Sequence, residues 1–73
     1  MRSLREWRIQ RLMSITALAH AAGITKKTLI DIEHGRRRPH YATMGKLSQV
    51  LGVEPGEIAE FAAAMADLEK DAA

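Results

Sequence analysis

The chain has 73 residues, 47% of them apolar, with one Trp, one Tyr, one Phe and no Cys, which describes a single small domain with an aliphatic, alanine-rich core that favours helices over strands. Disulfides, thiolate metal sites and cysteine nucleophiles are excluded; no apolar run approaches the ~20 residues of a membrane span and no signal-peptide core opens the chain, so a soluble cytoplasmic protein is expected. The net charge of +2 hides a division: Met1 to Lys46 holds ten Lys/Arg against three Asp/Glu (+7), and Leu47 to Ala73 one against six (−5), the asymmetry of a body with one basic face and an acidic rear.

Five helices and no strand are predicted, since no alternating apolar/polar run reaches six residues. The first covers roughly Arg2 to Leu12, with Leu4, Trp7, Arg8 and Arg11 along one flank. Ser14 can N-cap a second helix, about Ile15 to Ala22, which Gly23 ends. Thr25 can N-cap the third, about Lys26 to His34, closed by Gly35. Pro39 resets the chain before a fourth helix, about Tyr41 to Leu51, with Tyr41, Met44, Leu47 and Leu51 facing inward and Gly52 at its end. Pro55 can open a fifth, running to about residue 70, because its missing amide proton costs nothing at a first helical position. Asp71 to Ala73 are expected to fray.

The spacing inside residues 15–32 carries more. Leu18 and Ala22 lie one turn apart on the second helix, Ile24 fills the turn, and Leu29 and Ile32 lie three apart on the third. Together they make one apolar cluster holding two helices at a steep angle. Ala19 sits where the third helix passes close, and Gly23, four residues later, allows an abrupt change of direction. A small residue, a four-step gap, glycine, then apolar positions six and nine further on form the helix-turn-helix pattern. The competing reading is an ordinary helical hairpin in a small bundle.

With Leu4, Trp7, Arg8, Met13, Ser14, Glu33, Gly35, Pro39, Leu47, Leu51, Gly52 and Val53, this constellation resembles the phage-repressor and Cro-like (XRE-type) helix-turn-helix family over about Leu4 to Ile58. The most specific part is Ile32-Glu33-x-Gly35, then basic residues and Pro39, then a helix ending Leu51-Gly52-Val53. The resemblance implies an all-α, five-helix domain of the lambda-repressor-like fold, whose third helix enters the DNA major groove. Two positions depart from the family. Ile15 stands where a glutamine often touches phosphate, and Gly45 replaces a usually apolar residue inside the fourth helix, at a cost of about 1 kcal/mol relative to alanine.

On the third helix the outward set is Lys26, Lys27, Ile30 and Asp31, with Thr25 and Thr28 at the leading edge. By resemblance, Lys26, Lys27 and Asp31 match base-reading positions and Thr25 a phosphate contact. Lysine can donate to guanine O6 and N7, and an exposed isoleucine can rest on a thymine methyl. Asp31 would repel phosphate, so it is expected to accept from cytosine N4 or to orient Lys27. Lys26 and Lys27 could instead be solvated helix-start residues, although lysine is mildly disfavoured at that end of a helix. Arg36, Arg37 and Arg38 follow the helix and are expected, with Ser14, Thr25 and Thr28, to hold the sugar-phosphate backbone, contributing affinity without sequence information. By resemblance, Arg8 pairs with Glu33 and fixes the third helix against the body.

His20, His34 and His40 have no ligand-like spacing and no cysteine partners, so no metal site is expected. Neither a cofactor nor a small-molecule ligand is expected. No glycine-rich phosphate loop, paired carboxylate set or nucleophile–base arrangement points to an enzyme. Ile58, Phe61, Met65 and Leu68 recur at steps of three, four and three, a seam two helices can share. They are read as a homodimer contact, two copies then meeting half-sites about 34 Å apart; folding back over Trp7 is the other reading. The expected function is a sequence-specific double-stranded-DNA-binding transcriptional regulator, a repressor with no separate effector-binding domain. A protein-interaction module of the same fold is the alternative, supported by Ile15 and Ile30 on the presumed DNA face.

Overall fold

Ser3 sets the start of the first helix in the computed structural model, which describes residues 1–72, with side chains to Lys70. The Ser3 hydroxyl accepts the Glu6 amide at 3.1 Å and the Glu6 carboxylate accepts the Ser3 amide at 2.9 Å, a reciprocal cap that satisfies two orphan donors. That bond is also the main reason the Glu6 carboxyl titrates below its ordinary value. Helix α1 therefore runs Leu4–Gln10, shorter at both ends than the predicted Arg2 to Leu12. At its far end Leu12 adopts φ 58°, with Leu12 N–H bonded to the Ile9 carbonyl and Met13 N–H to the Arg8 carbonyl. This is a left-handed helix closure made without glycine.

Helix α2 is Ile15–Ala22 and α3 is Lys26–Glu33. The Ser14 and Thr25 hydroxyls accept the Ala17 and Thr28 amides at 3.0 and 3.1 Å. His34 is the C-cap of α3 rather than its last helical residue. Helix α4 is Tyr41–Leu51, ended by Gly52 in the left-handed conformation. Pro55 opens not the fifth helix but a 3-10 turn, Pro55–Glu57; Ile58 is extended, and α5 spans Ala59–Ala72. The interruption has a long-range cause: the Ala59 amide is taken by the Arg2 carbonyl at 2.9 Å, and Arg2 and Ile58 form an isolated parallel bridge. The frayed end expected at Asp71 to Ala73 finishes on Ala73, which lies outside the described residues. No named strand occurs among the described residues.

The core draws on every helix: Leu4, Leu18, Ala19, Ala22, Leu29, Ile32, Met44, Leu47, Leu51, Ile58, Phe61 and Ala64. Two expectations about it change. Tyr41 is 46% exposed, because it occupies the first position of α4, beyond the rim of the core that begins a turn later at Met44. The seam of α5 also divides. Ile58 and Phe61 are completely buried in the chain's own core, leaving only Met65 (37% exposed) and Leu68 (44%) at the surface. Truncating a buried phenylalanine typically costs 3–5 kcal/mol, so Phe61 is a structural residue here, as the folding-back reading holds.

Three bonds tie the N-terminal segment and α1 to the 3-10 turn and the start of α5. Glu60 Oε1 accepts the Leu4 amide at 2.9 Å, Trp7 Nε1 donates to the Glu57 carbonyl at 2.9 Å, and Arg2 closes the bridge just described. Arg2 and Arg11 both lie 5.3 Å from the Trp7 ring centroid, within cation–π range. Helix α2 packs against both α3 and α4, and the outer side of α3 stays open, with Lys26 and Lys27 exposed.

Candidate nucleic-acid interface

Arg8 anchors α3 from below. Its Nε meets Glu33 Oε2 at 2.8 Å, with the two side chains 11% and 2% exposed, its second guanidinium nitrogen reaches Glu33 Oε1 at 3.3 Å, and its third donates to the Met13 carbonyl at 3.0 Å. One guanidinium thus joins α1, the α1–α2 corner and the end of α3. A planar fork suits this task because it can serve a carboxylate bidentately and still donate elsewhere. With Glu33 neutralised in this way, its charge is withdrawn from the outer surface.

On the outer side, Lys26 and Lys27 are exposed in the first turn of α3, while Ile30 and Asp31 are half-buried. Lys27 Nζ lies 3.3 Å from Asp31 Oδ2, and Arg36 Nε lies 3.2 Å from Asp31 Oδ1. The carboxyl is held below its ordinary value, first by the Lys27 hydrogen bond and further by the charges of Lys27 and Arg36. The sequence expectation joined Asp31 to Lys27; the link to Arg36 is additional. It follows from the helix closure, in which the Arg36 amide bonds to the Asp31 carbonyl at 2.8 Å and so turns the arginine back over the helix.

The arginine run does not act as a block. Arg36 is committed to Asp31. Arg38 reaches the far helix, its guanidinium 3.1 Å from Asp67 Oδ2, with both side chains more than half exposed. Arg37 forms no ion pair among the described residues and lines a surface hollow with Thr25, Thr28, His40 and Thr43. Thr25 Oγ1 donates to Thr28 Oγ1 at 2.8 Å within it. Ser14 is exposed at the start of α2. The hollow therefore brings together Thr25, Thr28 and Arg37, and adds two residues that the spacing of α3 did not single out, His40 and Thr43. A sign was present in the sequence: Pro39 places the first turn of α4 directly after the arginines.

The arrangement is a shallow hollow with an apolar floor of Ile24, Ile32 and Pro39 and threonine hydroxyls at Thr25, Thr28 and Thr43, beside an Arg37 guanidinium that is unpaired among the described residues and a helix carrying two exposed ammonium groups. Such groups donate to anionic oxygens, and the starts of α3 and α4, whose residues line the hollow, add favourable dipoles. No helix among the described residues is long and apolar enough to cross a membrane.

A family model described as "Helix-turn-helix" matches residues 4–58. Uncharacterized HTH-type transcriptional regulators from Mycobacterium bovis and from two strains of Mycobacterium tuberculosis are each 37% identical over 54 residues, covering 74% of this chain and 21% of theirs. The chain thus spans about a fifth of the length of these curated relatives. No solved structure gives a significant match.

Proposed function

This chain belongs to the helix-turn-helix family, of XRE type, and on that premise we propose that it is a sequence-specific double-stranded-DNA-binding transcriptional regulator, acting as a repressor with α3 in the major groove. The observation that carries this reading is the open outer side of α3, bearing exposed Lys26 and Lys27 beside the hollow of Thr25, Thr28 and Arg37. Lys26, Lys27 and Ile30 are the proposed base contacts, with Asp31 at the edge of that set. Ser14, Thr25, Thr28, Arg36 and Arg37 are the proposed backbone contacts. Arg38 joins them only by exchanging Asp67 for a phosphate.

A single unit of this size offers few contacts, and tight specific complexes commonly bury more surface than one such module provides. The proposed active form is therefore a homodimer on two half-sites, meeting through Met65, Leu68 and Tyr41. Sedimentation at micromolar concentration, with and without operator duplex, measures this directly; a monomer under both conditions refutes it.

The DNA reading is tested with a mixed-sequence duplex titrated across salt concentrations. Affinity should fall steeply with salt, and Arg37→Ala should weaken binding to all sequences alike while flattening the log–log slope by about one. An unchanged slope removes Arg37 from the interface. The second reading, a protein-interaction module of the same fold, draws on the engagement of Arg36 and Arg38 by Asp31 and Asp67. Absence of both heparin retention and a duplex mobility shift would favour it.

A further inference from the structure

Of the two acids on α3, Glu33 is enclosed with Arg8 and only 2% exposed. Asp31 stays near the surface, 20% exposed, on the flank proposed to meet DNA. A carboxylate there repels phosphate and lowers affinity for every sequence. Its geometry accounts for another effect. Oδ2 holds Lys27 Nζ at 3.3 Å, Oδ1 holds Arg36 Nε at 3.2 Å, and the Asp31 carbonyl holds the Arg36 amide at 2.8 Å. One residue thereby links the leading turn of α3 to the first residue of the basic loop. Without that link the Lys27 side chain, 88% exposed, is a flexible point charge able to follow phosphates on any duplex.

We propose that Asp31 is a positioning residue for sequence discrimination: its carboxylate sets the Lys27 ammonium and the Arg36 guanidinium at a fixed separation, so that they meet the duplex as a preset pair. This rests on the DNA-binding reading above. A preset pair releases its carboxylate without loss only where the DNA supplies acceptors at the matching separation, whereas two free cations find phosphates anywhere. Asp31 thus lowers general affinity and raises selectivity. That differs from a carboxylate reading cytosine N4 itself.

The test compares wild type, Asp31→Asn and the double variant Asp31→Asn/Arg36→Gln on two duplexes of equal length. One is the best sequence the wild type recovers from a random library, the other a mixed sequence. Asp31→Asn is expected to bind the mixed duplex roughly threefold to tenfold more tightly at low salt, with a slope steeper by about one, because a net positive charge becomes available to phosphate. The ratio of affinities for the two duplexes should fall about tenfold. The double variant should regain the wild-type slope but not the ratio. An unchanged ratio in Asp31→Asn overturns the inference, as does a changed preference at one base pair with no gain on the mixed duplex.

A second measurement needs no DNA. Carbon-13 titration of the Asp31 carboxyl should show its pKa rising in Lys27→Met and again in Arg36→Gln; a pKa indifferent to both changes also overturns the bridge. Wild type that ignores both duplexes brings down the DNA reading and this inference with it. Wild type that binds, while Asp31→Asn keeps the ratio, brings down the inference alone.

Discussion

Leu12 combines two unfavourable properties in one residue. It holds φ 58°, and its side chain is 94% exposed. A left-handed backbone costs an L-residue about 1–2 kcal/mol, and here no burial offsets it. Leu12→Gly is expected to stabilise the domain by about 1 kcal/mol after allowing for the greater freedom of glycine in the unfolded chain. That corresponds to a rise of about 4–8 °C in Tm by thermal unfolding; a fall would reveal a contact that the side chain makes. Arg8 presents the opposite case, with each of its three guanidinium nitrogens bonded inside the protein. Arg8→Met leaves the Glu33 carboxylate enclosed without a partner and should cost about 3 kcal/mol, a large share of a small domain's stability. Adding Glu33→Leu should recover most of that loss. Denaturant unfolding of the two single variants and the double variant gives the coupling energy, and additivity would mean that the 2.8 Å pair does not hold in solution.

Among the elements, those closed by glycine were legible in the sequence. Helix α2 has the predicted bounds, Ile15–Ala22, and α4 likewise, Tyr41–Leu51, because a serine cap, a proline reset and following glycines each act within a few residues. Helix α1 is shorter than its sequence pattern suggests, since nothing local marks Leu12 as left-handed. The break before α5 has no local signal because it depends on Arg2, remote in sequence from Ala59. The candidate interface follows the same division. Exposure of Lys26 and Lys27 follows from the period of α3, whereas the separation of the arginines depends on Asp67, a residue of another helix. This long-range pair has a consequence for the basic loop. It is exposed on both sides and should add little to stability, below about 1 kcal/mol, but in the proposed complex it competes with phosphate for Arg38. Asp67→Asn should therefore leave unfolding nearly unchanged while strengthening binding to a mixed-sequence duplex a few-fold, with a steeper salt dependence. Equal binding by the variant and wild type would show Arg38 to have no access to phosphate.

At the scale of the molecule, the family match ends at residue 58, but the fold does not. Phe61 and Ala64 complete the core, and Glu60 accepts the first amide of α1. The part of the chain that resembles its relatives is thus roofed by residues beyond that match. Phe61 serves this roof and Ile58 is buried where it begins, which is why the four-residue seam contributes only Met65 and Leu68 to any second copy. The bonds from Arg2, Leu4 and Trp7 to the Ala59 region work like a hasp: neither flap can lift while the other stays shut. Deuterium uptake at the Leu4 and Ala59 amides should consequently proceed at matched rates and respond together to urea. Two distinct rates would mean that the flaps open separately.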